Sequence, residues 1–155
     1  MTAREPSPST QLSALLSRFP PEIVALAKKC LPKLRRAVPC THLTVYDYSH
    51  SIVVGFGLSE KGYEAIVVLA VYPSFVRLYF GNGKSLPDPN GLLQGSAGVR
   101  YVPLGSASDL DRADIRALFK AAIKHRGVTF PRGRSTRMVI KSKSKKRTPR
   151  RTGRA

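Results

Sequence analysis

The sequence contains no tryptophan, only two cysteines and no long apolar run. Cys30 falls on a helix face and Cys40 precedes a strand, so the two thiols match no zinc or redox spacing. We therefore expect both to be reduced thiols in a cytoplasmic protein. No apolar stretch has the length of a signal peptide or reaches the roughly 20 residues needed to span a bilayer, so we expect neither secretion nor membrane insertion.

Acidic residues are also scarce. Nine aspartates and glutamates oppose 27 lysines and arginines, which leaves a formal net charge of +18. The imbalance is greatest in residues 132–155, which hold 11 of the basic residues and no acidic one. Such an excess attracts polyanions, meaning nucleic acid, an anionic membrane surface or acidic proteins, and it says nothing about the fold.

Two N-terminal segments have helical periodicity. Apolar residues from Leu12 to Phe19 predict a short helix that stops at a Pro-Pro pair, and a second amphipathic stripe runs from Ile23 to Leu34. Pro32 lies off that stripe, and we expect it to kink the helix because it removes one hydrogen bond.

From His42 the period of the apolar residues changes to two, which indicates strands. In the strand at 52–58, one face carries Ile52, Val54, Phe56 and Leu58, and the other carries Val53, Gly55 and Gly57. Glycine in a strand usually marks a place where another group approaches the backbone closely. The simpler interpretation is that a helix packs on this face, and the alternative is that a ligand binds there. The runs at 63–72 and 75–80 predict a hairpin.

The remaining segments complete the order of elements. Residues 81–98 predict a long loop held by Leu86, Leu92 and Leu93. Residues 99–104 predict a last strand, and Pro103 indicates either that the strand is at a sheet edge or that it ends there. Asp111 is the expected N-cap of a last helix, with Asp114 three residues later. This order predicts an α+β fold, an antiparallel sheet of about five strands with N- and C-terminal helices packed on it. We expect a disordered leader at 1–9, the domain at 10–141 and a disordered basic tail at 142–155.

Several blocks carry a family resemblance: VYDYSHSIVVGFG, YEAIVVLAVYPSFVRLYFGNGKSLPDP, GLLQGSAGVRYVPL and SASDLDRADIRAL. Together they cover about half of the chain, from Val45 to Ile123, and they resemble the YdhG-like family of uncharacterised bacterial domains. The resemblance implies a curved antiparallel sheet with helices on one side, and a further short strand at Arg137–Ile140. It implies no activity.

Enzyme motifs are incomplete. Gly83-Lys84-Ser85 lacks the first glycine of a phosphate loop, and Gly55-Phe56-Gly57 lacks the third glycine of a dinucleotide fingerprint. We therefore expect a non-enzymatic protein with no cofactor. His42, Asp47 and His50 could in principle ligate iron or zinc, but their spacing is not that of a metal site, and surface polar residues are the simpler interpretation.

Basic residues give the main functional hypothesis, which is contact with nucleic acid or another polyanion through the last helix and the tail. A like-charge row along a helix is costly in isolation and a phosphate backbone would relieve it, although a solvated helix face is an equally simple interpretation. The predicted polyanion-binding residues are Arg112, Arg116, Lys120, Lys124, Lys141, Lys143, Lys145, Lys146, Arg147, Arg150 and Arg151.

The alternative hypothesis is a small-ligand or metal-binding domain. Aromatic residues and one arginine could line a ligand cleft beside the loop at 81–98. The predicted cleft residues are Tyr46, Asp47, Tyr48, Phe56, Tyr72, Tyr79 and Arg100.

Overall fold

The computed structural model describes residues 7–38, 42–59, 65–81, 83–95, 98–126 and 137–142. Within these ranges the elements are α1 (Pro8–Leu16), α2 (Pro21–Ala37), β1 (His42–Asp47), β2 (Ile52–Gly57), β3 (Ala65–Val71), β4 (Val76–Phe80), β5 (Arg100–Leu104), α3 (Ala113–Arg126) and β6 (Arg137–Ser142). Short 3-10 helices lie at Gly83–Ser85 and Ala107–Asp111. The chain has an α+β fold, as predicted, and its first helix begins before residue 10.

The six strands form one sheet in the order β5-β4-β3-β2-β1-β6. Neighbouring strands from β1 to β5 are antiparallel, whereas β6 pairs parallel with β1. The predicted antiparallel sheet of about five strands is confirmed for β1 to β5. The sheet as a whole is mixed, because the sixth strand, which the resemblance implied at Arg137–Ile140, pairs parallel with β1. A strand can pair parallel with its neighbour only after a long connection that crosses the sheet. The segment that joins β5 to β6 is such a connection, and it contains α3.

One face of the sheet packs against all three helices in a single hydrophobic core. The ring centroid of Phe80 on β4 lies 6.0 Å from that of Phe119 on α3. Alternate strand positions supply this covered face, namely Leu43, Val45, Ile52, Val54, Phe56, Val67, Leu69, Val71, Val76, Leu78, Phe80, Val102 and Leu104. Met138 and Ile140 of β6 pack at its margin.

We call the opposite side of the sheet the open face, since no helix of the described residues packs on it. It consists of His42, Thr44, Tyr46, Val53, Gly55, Gly57, Ala65, Val68, Ala70, Arg77, Tyr79, Tyr101, Pro103, Arg137, Val139 and Lys141. None of these residues belongs to the hydrophobic core cluster, not even the buried Ala70. The expectation that a helix would pack on the glycine face was wrong for the part of the chain described.

Gly55 is instead approached by a neighbouring strand. A Cβ atom added there would lie 3.3 Å from Cβ of Ala65 on β3. The register of β2 and β3 shifts between Phe56 and Gly57, next to this contact. The glycine therefore accommodates an irregularity of the sheet.

Helix α2 buries one stripe, consisting of Ile23, Ala27, Cys30 and Leu34. Pro32 lies inside this helix and is exposed, so it falls off the apolar stripe as the sequence indicates. Pro20 precedes the helix and Pro21 is its first residue. A missing amide hydrogen costs little at these positions, because the first amides of a helix have no intrahelical partner.

The start of α3 differs from the prediction. The 3-10 helix at Ala107–Asp111 precedes it, and α3 itself begins at Ala113. The capping carboxylate is Asp109, whose Oδ2 accepts hydrogen bonds from the backbone N–H of Gly105 at 2.8 Å and of Ser106 at 3.1 Å. Asp111 forms an ion pair with Lys33 of α2 and was wrongly predicted as the N-cap. A capping box is present at Ser106–Asp109, but it begins the 3-10 helix and not α3.

The loop after β4 is held to the body as predicted. Leu86 is buried, and Leu92 and Leu93 pack against the core. The Asp88 carboxylate accepts hydrogen bonds of 2.8 Å from the backbone N–H groups of both Leu92 and Leu93. These bonds order the loop next to the start of α3, where a small pocket includes Asp88 and Asp114.

Candidate nucleic-acid interface

The predicted basic row of α3 is present on its surface. Arg116, Lys120 and Lys124 are exposed at successive turns. Arg112 differs from them because its Nη2 donates a 2.8 Å hydrogen bond to Oδ2 of Asp114. The charge of Arg112 is therefore partly offset, and the positive surface of α3 begins at Arg116.

A pocket of about 160 Å³ lies where α2 meets α3 and its preceding 3-10 helix. Its lining consists of Lys33, Arg36, Ala37, Leu110, Asp111 and Arg116. Three cationic side chains thus surround a space that has one carboxylate. The ion pair between Lys33 and Asp111 leaves Arg36 and Arg116, and neither makes an ion pair within the described ranges. We call this space the basic pocket.

Cys30 lies on the same helix as Lys33 and Arg36 but inside the core. Burial raises the pKa of its thiol to about 11, and the nearby Asp109 carboxylate acts in the same direction, whereas Lys33 opposes it. The thiol therefore stays protonated at neutral pH. A protonated, buried thiol is a poor nucleophile and a poor metal ligand.

The open face carries a cluster of aromatic rings around Arg77. The guanidinium carbon of Arg77 lies 4.2 Å from the ring centroid of Tyr101 and 4.5 Å from that of Phe75. Its Nη1 also contacts the hydroxyl of Tyr79 at 3.4 Å. Tyr79 and Tyr101 have ring centroids 5.3 Å apart. Cation–π contacts of this kind hold both the charge and the rings in place.

Tyr72 completes this cluster beside Phe75, with ring centroids 4.7 Å apart. Burial raises the pKa of Tyr72 to about 12, and its hydrogen bond to Tyr79 adds to the shift. The Tyr72 hydroxyl therefore remains protonated at neutral pH. We call Tyr72, Phe75, Arg77, Tyr79 and Tyr101 the β4–β5 ring cluster.

A smaller group lies across the sheet on β1 and β6. The rings of Tyr46 and Tyr48 are stacked with centroids 6.2 Å apart, and Nζ of Lys141 lies 5.8 Å from the centroid of Tyr46. The strand register places Lys141, Tyr46, Val53, Ala70 and Arg77 side by side in one row across five strands. Small side chains thus separate two groups that each combine rings with a cation.

The structure brings only part of the predicted cleft together. Tyr46, Tyr48, Tyr72 and Tyr79 lie on or at the rim of the open face. Phe56 does not, because it is fully buried on the covered face. Asp47 is also on the covered side, where its Oδ1 lies 3.0 Å from Nη2 of Arg18. Arg100 packs beside Gly83, at the start of the edge strand β5.

Some predicted polyanion-binding residues lie outside the described ranges. These are Lys143, Lys145, Lys146, Arg147, Arg150 and Arg151. Lys141, the last of the predicted set that is described, lies on the open face and not beside α3. The basic pocket and the open face are therefore two separate candidate surfaces.

The residues considered for metal binding do not converge. His42 begins β1, Asp47 ends it, and His50 lies in the turn that follows. Two ends of a six-residue strand are roughly 17 Å apart. In the ranges described, no group of three or more His, Cys, Asp or Glu side chains could hold a metal ion.

The sequence interpretation missed four residues that the structure makes prominent: Lys33, Arg36, Arg77 and Tyr101. The first two lie off the apolar stripe from Ile23 to Leu34, and nothing in the sequence indicates that α3 would face them. Arg77 and Tyr101 alternate with buried residues of β4 and β5, and this period-two pattern puts both on the non-core face. The alternation can be seen in the sequence, but the pairing of β4 with β5 cannot.

Comparisons with protein-family models, curated proteins and solved structures found no match for this chain. None of the helices in the described ranges has both the length and the apolar character needed to span a bilayer.

Proposed function

We propose that this protein is a non-enzymatic binding domain that contacts nucleic acid or another polyanion. The observation that carries the proposal is the basic pocket, where Lys33, Arg36 and Arg116 face one another across the junction of α2 and α3. Arginine side chains suit this role because each offers several donors to phosphate oxygens. Lys120 and Lys124 extend the positive surface along α3.

The distribution of charge supports contact with a phosphate backbone more than with a single small anion. Residues 132–155 add 11 basic residues to those of the two helices. Contacts of this kind neutralise phosphates without reading bases, so the binding would be sensitive to salt and largely independent of sequence. A cytoplasmic location and membership of the YdhG-like family remain proposals that rest on the sequence alone.

Charge reversal in the full-length chain tests the role of the basic pocket. Arg36→Glu and Arg116→Glu each change the charge by the same amount as Arg35→Glu, the neighbour on α2. Arg35 is exposed but lines a different pocket, with Leu12 and Met138, so it is a matched control. We expect both pocket variants to weaken binding to a DNA duplex about tenfold, measured by fluorescence anisotropy, since about 1.4 kcal/mol of phosphate contact is lost.

The control decides between a specific surface and net charge. Arg35→Glu should weaken binding no more than about twofold, because it removes charge away from the pocket. Equal losses in all three variants would contradict the proposal and leave only attraction by net charge. Circular dichroism would check that each variant keeps its fold.

A further inference from the structure

The open face differs from an ordinary solvated sheet surface in its composition. Five of the six tyrosines of the chain lie on it or at its rim: Tyr46, Tyr48, Tyr72, Tyr79 and Tyr101. Phe75 joins them and is 41% exposed, as Tyr48 is at 39%. The other four rings are half-buried. Exposed aromatic rings are costly in water, and rings grouped on one face are typical of a binding site.

The rings are held in fixed positions. Arg77 lies between Phe75 and Tyr101, and Tyr79 connects to Tyr72, the residue after β3. A rigid ring loses little conformational freedom when a planar ligand stacks on it. The β4–β5 ring cluster is therefore preorganised for stacking.

Small side chains lie between the two aromatic groups. Val53, Gly55, Val68 and Ala70 lie in the middle strands of the open face. Neighbouring strands are about 4.8 Å apart, so β1 and β4 are separated by roughly 14 Å. A few unpaired nucleotides could span this distance between the two aromatic groups. Thr44, Gly55 and Ala70 between these groups are buried, so the bases would contact the exposed rings on either side.

The charge of the open face is of one sign. Arg77, Arg137 and Lys141 are its formally charged residues, and no carboxylate lies on it within the described strands. Cations interspersed with aromatic rings complement the phosphates and bases of a nucleic-acid strand. If the ligand were a partner protein with an apolar surface, the three cations would have no role. If it were a small anion, the aromatic rings would have no role.

We propose that the open face binds single-stranded nucleic acid, with bases stacked on the rings of Tyr48 and Phe75 and phosphates near Lys141 and Arg77. Unpaired bases are required because the bases of a duplex are stacked on one another and cannot reach the rings. The proposal goes beyond non-specific polyanion contact. It concerns a different face from the basic pocket, so it stands or fails independently of that pocket.

The test compares an oligothymidylate with a DNA duplex of the same length, using the full-length chain. Phe75→Leu and Tyr48→Leu remove exposed rings while keeping apolar bulk, and circular dichroism would check that each variant keeps its fold. Each variant should weaken binding to the single strand about fivefold to a hundredfold, the usual effect of losing one stacked base. Duplex binding should change by less than twofold, since no duplex base meets these rings.

Tyrosine fluorescence provides a second measurement. The chain has no tryptophan, so its intrinsic emission comes from tyrosines, most of which lie on this face. Stacking of thymine bases should quench the emission on titration, and duplex DNA should quench it much less. Retained single-strand affinity in both ring variants, or equal losses for single strand and duplex, would overturn the proposal.

Arg116→Glu separates this proposal from the preceding one. Loss of duplex and single-strand binding in Arg116→Glu, with no effect of the ring variants, would support the basic pocket and refute the open face. Ring variants that affect only the single strand, with no effect of Arg116→Glu, would give the converse result. Binding of polyglutamate without binding of either DNA would refute this proposal and assign the face to an acidic protein.

Discussion

The guanidinium of Arg18, just after α1, lies 3.0 Å from the carboxylate of Asp47 at the end of β1. The Arg18 side chain is 42% exposed, whereas the Asp47 side chain is only 10% exposed. Arg18 also donates to the backbone oxygens of Leu15 and Tyr48, so one side chain connects the first helix to the first hairpin. We therefore expect this pair to contribute more than an ordinary surface ion pair.

Arg18→Ala should lower the free energy of unfolding by about 1–2 kcal/mol, because it leaves a largely buried carboxylate without its cation. Urea denaturation followed by circular dichroism would measure the change. Lys28→Ala on α2 is the control, since it removes one charge from an exposed position, and we expect a change within about 0.5 kcal/mol. Equal effects of the two substitutions would show that the ion pair contributes nothing.

Gly83 allows the loop to pack against β5. A Cβ atom added at this position would lie 2.4 Å from Cβ and 2.9 Å from the backbone nitrogen of Arg100. Gly83→Ala should therefore force the loop and strand apart, at a cost of about 1–3 kcal/mol in unfolding free energy. Gly98→Ala is the matched control, because nothing lies within 4 Å of its added Cβ atom.

The comparison of the two alanine variants would be made by thermal unfolding in the same buffer. Gly98→Ala should leave the Tm unchanged or raise it slightly, since alanine restricts the unfolded chain. If Gly83→Ala were as stable as Gly98→Ala, the close approach of Arg100 to Gly83 would not exist in solution.

Local patterns in the sequence were sufficient to predict most elements. The stripe from Ile23 to Leu34 predicts α2, and the alternation around Val54 and Phe56 predicts β2 and its buried face. Leu86 was correctly expected to hold the long loop. These predictions succeed because each depends on neighbours within one element.

The features that were missed depend on residues far apart in the chain. Lys33 and Asp111 meet although 78 positions separate them, and this contact defines the basic pocket. Likewise, the Arg77–Tyr101 contact depends on the register of β4 and β5, which a hydrophobic pattern alone does not set. The parallel pairing of β6 with β1 has the same origin, since it follows a crossover that no local motif reveals.

Pro32 offers a test of helix energetics at an exposed site. Its ring removes one backbone donor in the middle of α2. Pro32→Ala should restore a hydrogen bond to the carbonyl of Lys28 and raise the free energy of unfolding by about 1–2 kcal/mol. Pro21→Ala, at the first position of the same helix, should be neutral or slightly destabilising. Urea denaturation of both variants gives the comparison, and equal shifts would mean that α2 already compensates for Pro32.

Cys30 should make stability depend on alkaline pH. Because its pKa is raised from 9.0 to about 11 in the folded protein, folding favours the protonated thiol. The resulting stabilisation is fully present below the unfolded pKa and is lost as the pH rises through the folded pKa. Two pKa units correspond to at most about 2–3 kcal/mol. The free-energy difference between wild type and Cys30→Ala should therefore shrink by about that amount between about pH 8 and about pH 11.

The Cys30→Ala variant itself serves as the control for the other titrating groups. Lysines and tyrosines titrate in the same way in wild type and in Cys30→Ala. Their contributions to the free energy of unfolding therefore cancel when the two proteins are compared. A difference that stays constant across this pH range would mean that the thiol ionises as readily in the folded chain as in the unfolded one.

The salt dependence of duplex binding should separate the contribution of the C-terminal residues from that of the basic pocket. Each phosphate neutralised adds about 0.7–0.9 to the slope of log affinity against log salt. Truncation after Ser142 removes seven basic residues, so the slope for duplex binding should fall by up to about six. Arg36→Ala in the full-length chain should lower it by about one, and Arg35→Ala should leave it unchanged. Titrations at several salt concentrations measure these slopes directly.

If truncation did not change the slope, the phosphate contacts would lie entirely within residues 1–142. If the slope fell to near zero after truncation, the basic pocket would make no phosphate contact.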